Sequence, residues 1–246
     1  DRPAGWAIAA GLCTGLACMF RSIGIFSVLA FVGALILAGR QFSFARRIVL
    51  AAGMLAAHVA AITPWEVILF NNGGFALLGR NVGAGYLDGL TFGIQHPESG
   101  DPVDISPELA EMMHRAKDDA ERIRTAGGMV EFVKSEYKRD PATVAEWILL
   151  KMRRIWYATN TRRMETATAA LQSVYLVLAL AGLWILRRSQ PAAVLALCLL
   201  TLYFWAMAMI VMPLMRYIVP PMVLLMIPAA ATLITIWNRL RPSSAL

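Results

Sequence analysis

Apolar and polar stretches alternate along this chain in a way that predicts membrane helices in two groups. The apolar runs have about 15 to 22 residues each and almost no charge, which suits helices that cross a bilayer. A hydrophilic block, residues 63–166, is the only long polar stretch and separates the two groups. The predicted spans are residues 5–20, 23–38 and 48–62 before the block and residues 167–186, 191–212 and 217–237 after it.

This pattern predicts an all-α fold: a polytopic membrane helical bundle, with about six spans in this fragment and a mainly helical extracytoplasmic insert. The predicted domains are residues 1–62 with three spans, residues 63–166 outside the membrane, and residues 167–246 with three spans and a short cytoplasmic tail. Because the chain begins at Asp1 and enters a span almost at once, we expect it to be the C-terminal part of a longer protein.

Capping and termination signals predict three helices inside the polar block. Ser106-Pro107 and Asp140-Pro141 each place a capping residue before a proline at the first helical position. Gly127-Gly128 is expected to end the first helix, and residues 71–100, rich in Gly and Asn, are predicted to form a loop. The predicted helices cover residues 107–125, 130–138 and 141–157.

The third of these helices combines apolar residues at helical spacing with a basic cluster. Such a helix beside a span is typical of one that lies in the membrane interface. We therefore expect its aromatic and aliphatic face to enter the membrane surface and its basic residues to lie near lipid headgroups. The residues concerned are Trp147, Ile148, Ile155 and Trp156 on the apolar side and Lys151, Arg153 and Arg154 on the basic side.

The distribution of charge predicts how the chain is oriented. The polar block has 13 basic and 15 acidic residues, a charge of −2, while the whole chain carries +7. Of the ten remaining basic residues, all but Arg21 and Arg216 form short clusters at span ends, which favours a membrane topology, so no nucleic-acid partner is expected. By the positive-inside rule these clusters are cytoplasmic and the polar block is extracytoplasmic. The basic residues of these cytoplasmic clusters are Arg2, Arg40, Arg46, Arg47, Arg187, Arg188, Arg239 and Arg241.

Arg216 and Arg21 are the first candidates for binding. Arg216 opens the last span, where a cation is costly unless it faces an aqueous cavity or an anion. Its planar donor fork suits a phosphate, although its position alone slightly favours an interfacial anchor that reaches the headgroups. Arg21 is the only charge between the first two spans, and a plain loop arginine is the alternative.

Two further residues have both a functional and a structural interpretation. His58 lies within the third span, and a packed, hydrogen-bonded histidine is favoured over a catalytic one. Glu66, next to Trp65, fits a base, a carbohydrate contact or an interfacial carboxylate. Asp101 and Asp104 favour a turn over a cation site. No motif for a metal, a phosphate-binding loop or a catalytic nucleophile is present, so the fragment offers no catalytic residue and no metal ligand of its own.

Several short motifs, taken in order, resemble one family of membrane enzymes. The chain has a Gly-rich span ending in Arg21, a Pro-Trp pair at Trp65, an Asn- and Gly-rich stretch containing Asn72 and Asn81, and an Arg-Tyr-x-x-Pro motif at Arg216. Together these resemble the later part of GT-C-type integral-membrane glycosyltransferases, in the bacterial branch related to protein O-mannosyltransferases and aminoarabinose transferases. Glu66-Val-Ile-Leu departs from the family's usual continuation after the Pro-Trp pair.

The resemblance implies a bacterial inner-membrane enzyme that moves a sugar from a polyprenyl-phosphate donor to an extracytoplasmic glycan, lipid or protein acceptor. The family's catalytic carboxylate lies in a part with no counterpart here. No cofactor is expected for the fragment, with a divalent metal left open for the full-length enzyme. The substrate-binding residues implied are Arg216, Tyr217, Arg21, Trp65, Glu66, Asn72 and Asn81.

Two other classes stay open at this point. In a transporter or flippase-like protein the same arginines would line a translocation path. The chain shows no internal repeat, however, and its polar block is large. A non-catalytic membrane assembly subunit is the third possibility.

Overall fold

The computed structural model describes residues 2–20, 24–72, 82–91, 103–159, 161–210 and 218–240, and its regular elements there are all helices. In chain order they are α1 (Arg2–Phe20), α2 (Val28–Ala38), α3 (Phe44–Asn71), α4 (Val82–Thr91), α5 (Pro107–Asp118), α6 (Ala120–Ile123), α7 (Ala126–Arg139), α8 (Pro141–Arg154), α9 (Arg162–Leu186), α10 (Pro191–Ile210) and α11 (Val219–Leu240).

Four of the described helices, α3, α9, α10 and α11, are long and apolar enough to cross a membrane. The all-helical prediction is confirmed and the chain has the helices of a membrane protein, but a count of six spans is not confirmed. The helix α2 is apolar but has only 11 residues, roughly 16 Å at 1.5 Å per residue.

Large apolar side chains cover the outside of the last group of helices. They recur along α9 and α11 with exposed fractions of about one half to two thirds, which water would disfavour and lipid would not. Four tryptophans near the ends of apolar helices are also on the surface. The exposed fractions are 76% for Trp6, 43% for Trp65, 66% for Trp184 and 57% for Trp237.

The first group of helices is held together by small residues. A Cβ at Gly11 or Gly15 would collide with α3, the first at Met54 and Ala57, the second at His58 and Ala61. Two glycines four residues apart lie on one helix face and allow backbones to approach closely. Because the contacts on α3 advance with those on α1, the two helices run in the same direction.

The two groups of helices meet through α2 and α10. Ala30 on α2 packs with Leu200 and Phe204 on α10 in one buried cluster. The Tyr203 hydroxyl accepts a hydrogen bond from the Phe26 backbone N–H at 3.2 Å. These contacts make the N-terminal and C-terminal helices one packed unit.

Between the groups, α4–α8 form a small helical domain with its own core, called the insert below. The core residues are fully or almost fully buried. Three caps stabilise its helices, because the side chains of Ser106, Thr125 and Asp140 accept from first-turn backbone N–H groups of α5, α7 and α8. Its core contains Leu90, Leu109, Met112, Met113, Ala116, Ile123, Phe132, Val144, Trp147 and Leu150.

The structure corrects several predicted boundaries. The third span does not end at residue 62: α3 continues through Pro64 to Asn71, because the apolar residues after the proline extend the helix. The helix α5 ends at Asp118, and Gly127-Gly128 lie in the first turn of α7, where a Cβ at Gly128 would overlap the Arg122 carbonyl. The helix α4 lies within the predicted loop.

The prediction of an interface helix over 141–157 is wrong for most of its residues. Trp147, Lys151, Arg154 and Ile155 are buried inside the protein, with exposed fractions of 5% or less. Ile148 is on the surface, at 39%. The helical spacing of apolar residues in α8 correctly indicates a buried face, but this face packs against protein and not against lipid.

Candidate functional site

The structure describes three of the seven predicted substrate-binding residues, all at the C-terminal end of α3. Trp65 and Asn72 are exposed and Glu66 is half-buried. The Asn72 side chain donates to the Ile68 carbonyl at 2.7 Å and so caps the helix. None of the three lines the clefts described below. The other four, Arg21, Asn81, Arg216 and Tyr217, lie outside the described residues, so their roles stay predictions.

His58 is a packed residue, as the sequence favoured. It is 3% exposed, and its Nδ1 lies 3.0 Å from the Thr14 hydroxyl of α1. The Cys18 thiol is directed to the Thr14 carbonyl at 3.0 Å. This group of polar atoms is bonded within the first three helices and supports their packing.

The insert is fastened to the membrane helices by α8. The Lys151 side chain is completely buried, and its Nζ donates to the Met209 carbonyl near the end of α10. The same Nζ lies 4.7 Å from the centre of the Trp147 ring. Burial lowers the pKa of Lys151 to about 7. A second hydrogen bond joins the same two helices, because the Trp205 indole N–H of α10 donates to the Met152 carbonyl of α8 at 3.2 Å.

A buried ion pair joins α8 to the first turn of α9. Arg154 and Glu165 are 5% and 7% exposed, and the Arg154 guanidinium donates to the Glu165 carboxylate. The Thr159 backbone N–H donates to the same carboxylate at 3.2 Å. Burial lowers the pKa of Arg154 and the charge of Glu165 opposes that shift, but an arginine stays charged in either case.

This ion pair lines a polar cavity of about 360 Å³, called the arginine cleft. Arg153 and Arg162 are both exposed there, and neither makes an ion pair with another residue in the described part of the chain. Asp104 contributes a carboxylate to the cleft. The walls are formed by Val103, Asp104, Leu150, Arg153, Arg154, Tyr157, Arg162, Glu165, Thr166 and Ala169.

A larger cavity of about 800 Å³, called the α8 cavity, adjoins the arginine cleft. Asp104, Leu150 and Arg153 line both. Its Glu146 is already bound, because both its oxygens accept from Ser106, at 3.1 Å from the backbone N–H and at 2.5 Å from the hydroxyl. The remaining walls come from Ala142, Ala145, Leu149, Met152 and Trp205.

A third cavity, of about 350 Å³, lies among α9, α10 and α11 and is called the apolar groove. Trp205 lines both this groove and the α8 cavity. The groove therefore begins where the insert meets the membrane helices. Its walls are Trp156, Leu176, Ala179, Leu180, Leu183, Cys198, Thr201, Leu202, Trp205 and Leu225.

The clefts bring together residues that carry no binding motif in the sequence. Arg162, Glu165 and Trp205 have no local signal for binding, because their neighbours in the clefts come from other helices. Among the described residues, no group of three His, Cys, Asp or Glu side chains has a geometry that would hold a metal ion. The described lining of the arginine cleft and the α8 cavity offers charged and hydrogen-bonding groups.

No protein-family model, curated protein or solved structure matches this chain. Its functional assignment depends on its own residues and geometry.

Proposed function

We propose that this chain is the C-terminal portion of a membrane glycosyltransferase, which moves a sugar from a polyprenyl-phosphate donor to an extracytoplasmic acceptor. The order of short motifs from Arg21 to Arg216 supports the family assignment. The membrane would be the bacterial inner membrane, with the insert on its extracytoplasmic side.

The observation that best supports this proposal is the position of the arginine cleft and the α8 cavity. Both lie where the insert packs on α9 and α10, at the end of the apolar helices. An enzyme acting on a lipid-linked sugar needs an aqueous pocket at that depth, because the sugar is polar and its carrier stays in the membrane. The Trp205 ring and the Asp104 carboxylate, which line the α8 cavity, are groups that bind carbohydrate well.

In this proposal, Arg216 and Arg21 bind the carrier phosphate and Tyr217 lies beside them. Trp65, Glu66, Asn72 and Asn81 line the outer entrance. A planar guanidinium forms two parallel hydrogen bonds with a phosphate, which a lysine cannot reproduce.

The test is sugar transfer by the full-length enzyme carrying Arg216→Ala. We expect this change to lower the rate about a hundredfold, since a charge-assisted contact to the donor is lost. Arg216→Lys should retain a partial rate with weaker donor binding. Arg139→Ala, an exposed change at the end of α7, is the matched control and should transfer at the wild-type rate.

Two results would count against the proposal. Transfer at the wild-type rate by Arg216→Ala would return Arg216 to the role of an interfacial anchor. A wild-type protein that carries a lipid-linked sugar across the membrane without transferring it would favour a flippase-like function.

A further inference from the structure

Among the described residues that line the arginine cleft, basic side chains outnumber acidic ones, three arginines against Asp104 and Glu165. Of its three arginines, Arg154 is paired with Glu165 at the base. In the described part of the lining, the carboxylate left for Arg153 and Arg162 is that of Asp104, and neither arginine makes an ion pair with it. Two exposed guanidinium groups converging on one cavity repel each other, so an anion between them would be stabilised.

The start of α9 adds to this preference for an anion. Thr161 precedes the helix, and its side chain makes no capping hydrogen bond. The first turn of α9 contributes Arg162, Glu165 and Thr166 to the cleft, so the positive end of the helix dipole lies at the cavity.

The apolar groove lies on the same face of α9. Ala169 lines the arginine cleft and Leu176 lines the groove. These positions are seven residues apart, which is two helical turns and roughly 10 Å along the axis. A ligand that fills both places would have an anionic group at the boundary and an apolar chain running along α9 in the membrane.

From this geometry we infer that the arginine cleft binds the phosphate group of a membrane lipid, whose apolar chain lies in the groove between α9, α10 and α11. Arg153 and Arg162 donate to the phosphate oxygens. The inference names other residues than Arg216 and Arg21, which are proposed for the donor phosphate, and it does not rest on the proposed function.

Lipid binding to the purified full-length protein in detergent tests this inference directly. The probe is dioleoyl phosphatidic acid, compared with dioleoyl phosphatidylcholine and with inorganic phosphate, and the readout is native mass spectrometry. Phosphatidic acid should bind at least about tenfold more tightly than phosphatidylcholine, which has the same chains but a blocked, zwitterionic headgroup. Inorganic phosphate should compete only at much higher concentration, because it gains nothing from the groove.

Single arginine variants locate the site. Arg153→Ala and Arg162→Ala should each weaken binding of phosphatidic acid about tenfold, the loss expected for one charge-assisted contact. Arg163→Ala is the matched control, since Arg163 is exposed at the next position of α9 and does not line the cleft. All three positions are on the surface, so the variants should unfold at the wild-type temperature.

Several results would overturn the inference. Unchanged binding in Arg153→Ala and Arg162→Ala would show that the cleft is not the site. An equal loss of phosphatidic acid binding in Arg163→Ala would show that binding depends on the overall charge of the protein and not on the cleft. If inorganic phosphate bound as tightly as phosphatidic acid, the apolar chain would contribute nothing and the ligand would not be a lipid.

Sugar transfer measured on the same variants separates this inference from the proposed function. If both cleft variants transferred sugar at the wild-type rate and bound phosphatidic acid normally, the lipid site in the cleft would be refuted. The proposed glycosyltransferase function would not be affected. Loss of lipid binding in those variants, with no transfer by the wild-type enzyme, would refute the glycosyltransferase and leave the cleft in place.

Discussion

Lys151 and Arg154, one turn apart on α8, are buried cations that serve different purposes. Arg154 has a carboxylate partner, and removing one member of a buried pair costs roughly 3–5 kcal/mol because the other charge stays buried. Among the described residues, the partners of Lys151 are a carbonyl and an aromatic ring, which do not offset the desolvation of an ammonium group. The lowered pKa of Lys151 expresses that cost.

Replacing Lys151 by methionine should remove a pH dependence of stability. The folded state has a Lys151 pKa of about 7, against an ordinary value of 10.5. Between these values the unfolded state binds more protons, so stability should rise as pH increases from 7 to 10. The slope from this one group is at most about 1.4 kcal/mol per pH unit, or roughly 3–6 °C in Tm. Thermal unfolding in detergent at several pH values measures it.

The variant Lys151→Met should show a flatter profile over this range, whatever its absolute Tm. Lys134→Met provides the control, because Lys134 is exposed on α7 and no change of slope is expected. Equal slopes in wild type and Lys151→Met would mean that the buried lysine keeps its ordinary pKa.

At the scale of elements, close backbone approach determines which helices can pack. A Cβ at Gly182 of α9 would overlap the carbonyl of Pro228 in α11. Tyr175 donates from its hydroxyl to the Met222 carbonyl, so the same two helices are also joined by a hydrogen bond. Since lipid chains are as apolar as leucine, such packing and hydrogen bonding stabilise membrane helices more than hydrophobicity does.

The substitution Gly182→Ala should destabilise the protein by about 1–3 kcal/mol, because one of the two backbones has to move. Gly53→Ala in α3 is the matched control, since nothing lies within 4 Å of a Cβ placed there. That change should be neutral or stabilising by up to about 1 kcal/mol through helix propensity. Unfolding temperatures of the two variants provide the comparison, and equal effects would contradict the close approach of α9 and α11.

For the whole molecule, the question is which side of the membrane holds the insert. The short segment between α9 and α10 carries Arg187 and Arg188, and Arg187 lies 3.1 Å above the exposed ring of Trp184. A tryptophan at a helix end is typical of either membrane interface, whereas basic residues in a short loop are typical of the cytoplasmic one. The insert is at the other end, where α10 ends and α9 begins.

We therefore predict that the insert faces the extracytoplasmic side. In a background without Cys13, Cys18 and Cys198, Lys138→Cys should react with a membrane-impermeant maleimide in whole cells. Ser189→Cys, in the basic segment, should react only after lysis. The reverse pattern would invert the topology.

Much of the secondary structure follows from the sequence, because its signals are local. Ser106 and Asp140 cap helices as predicted, since a cap depends on a few consecutive residues. The last three membrane helices lie close to their predicted bounds, since length and apolar content decide them. The helix α4 and the extension of α3 past Pro64 were missed, because packing and apolar continuity outweighed Gly and Pro there.

The tertiary structure alone decided what each side chain of α8 contacts. Its periodicity shows one apolar face but does not distinguish lipid from protein as the surface beneath it. Burial of Lys151 depends on Met209, 58 residues away, and the α8–α9 ion pair depends on how the chain turns between the two helices. For the same reason the arginine cleft has no signature in the sequence, because Arg153, Arg162 and Asp104 come from separate segments. Net charge and hydropathy are sums over residues, so the sequence by itself already indicated a membrane protein.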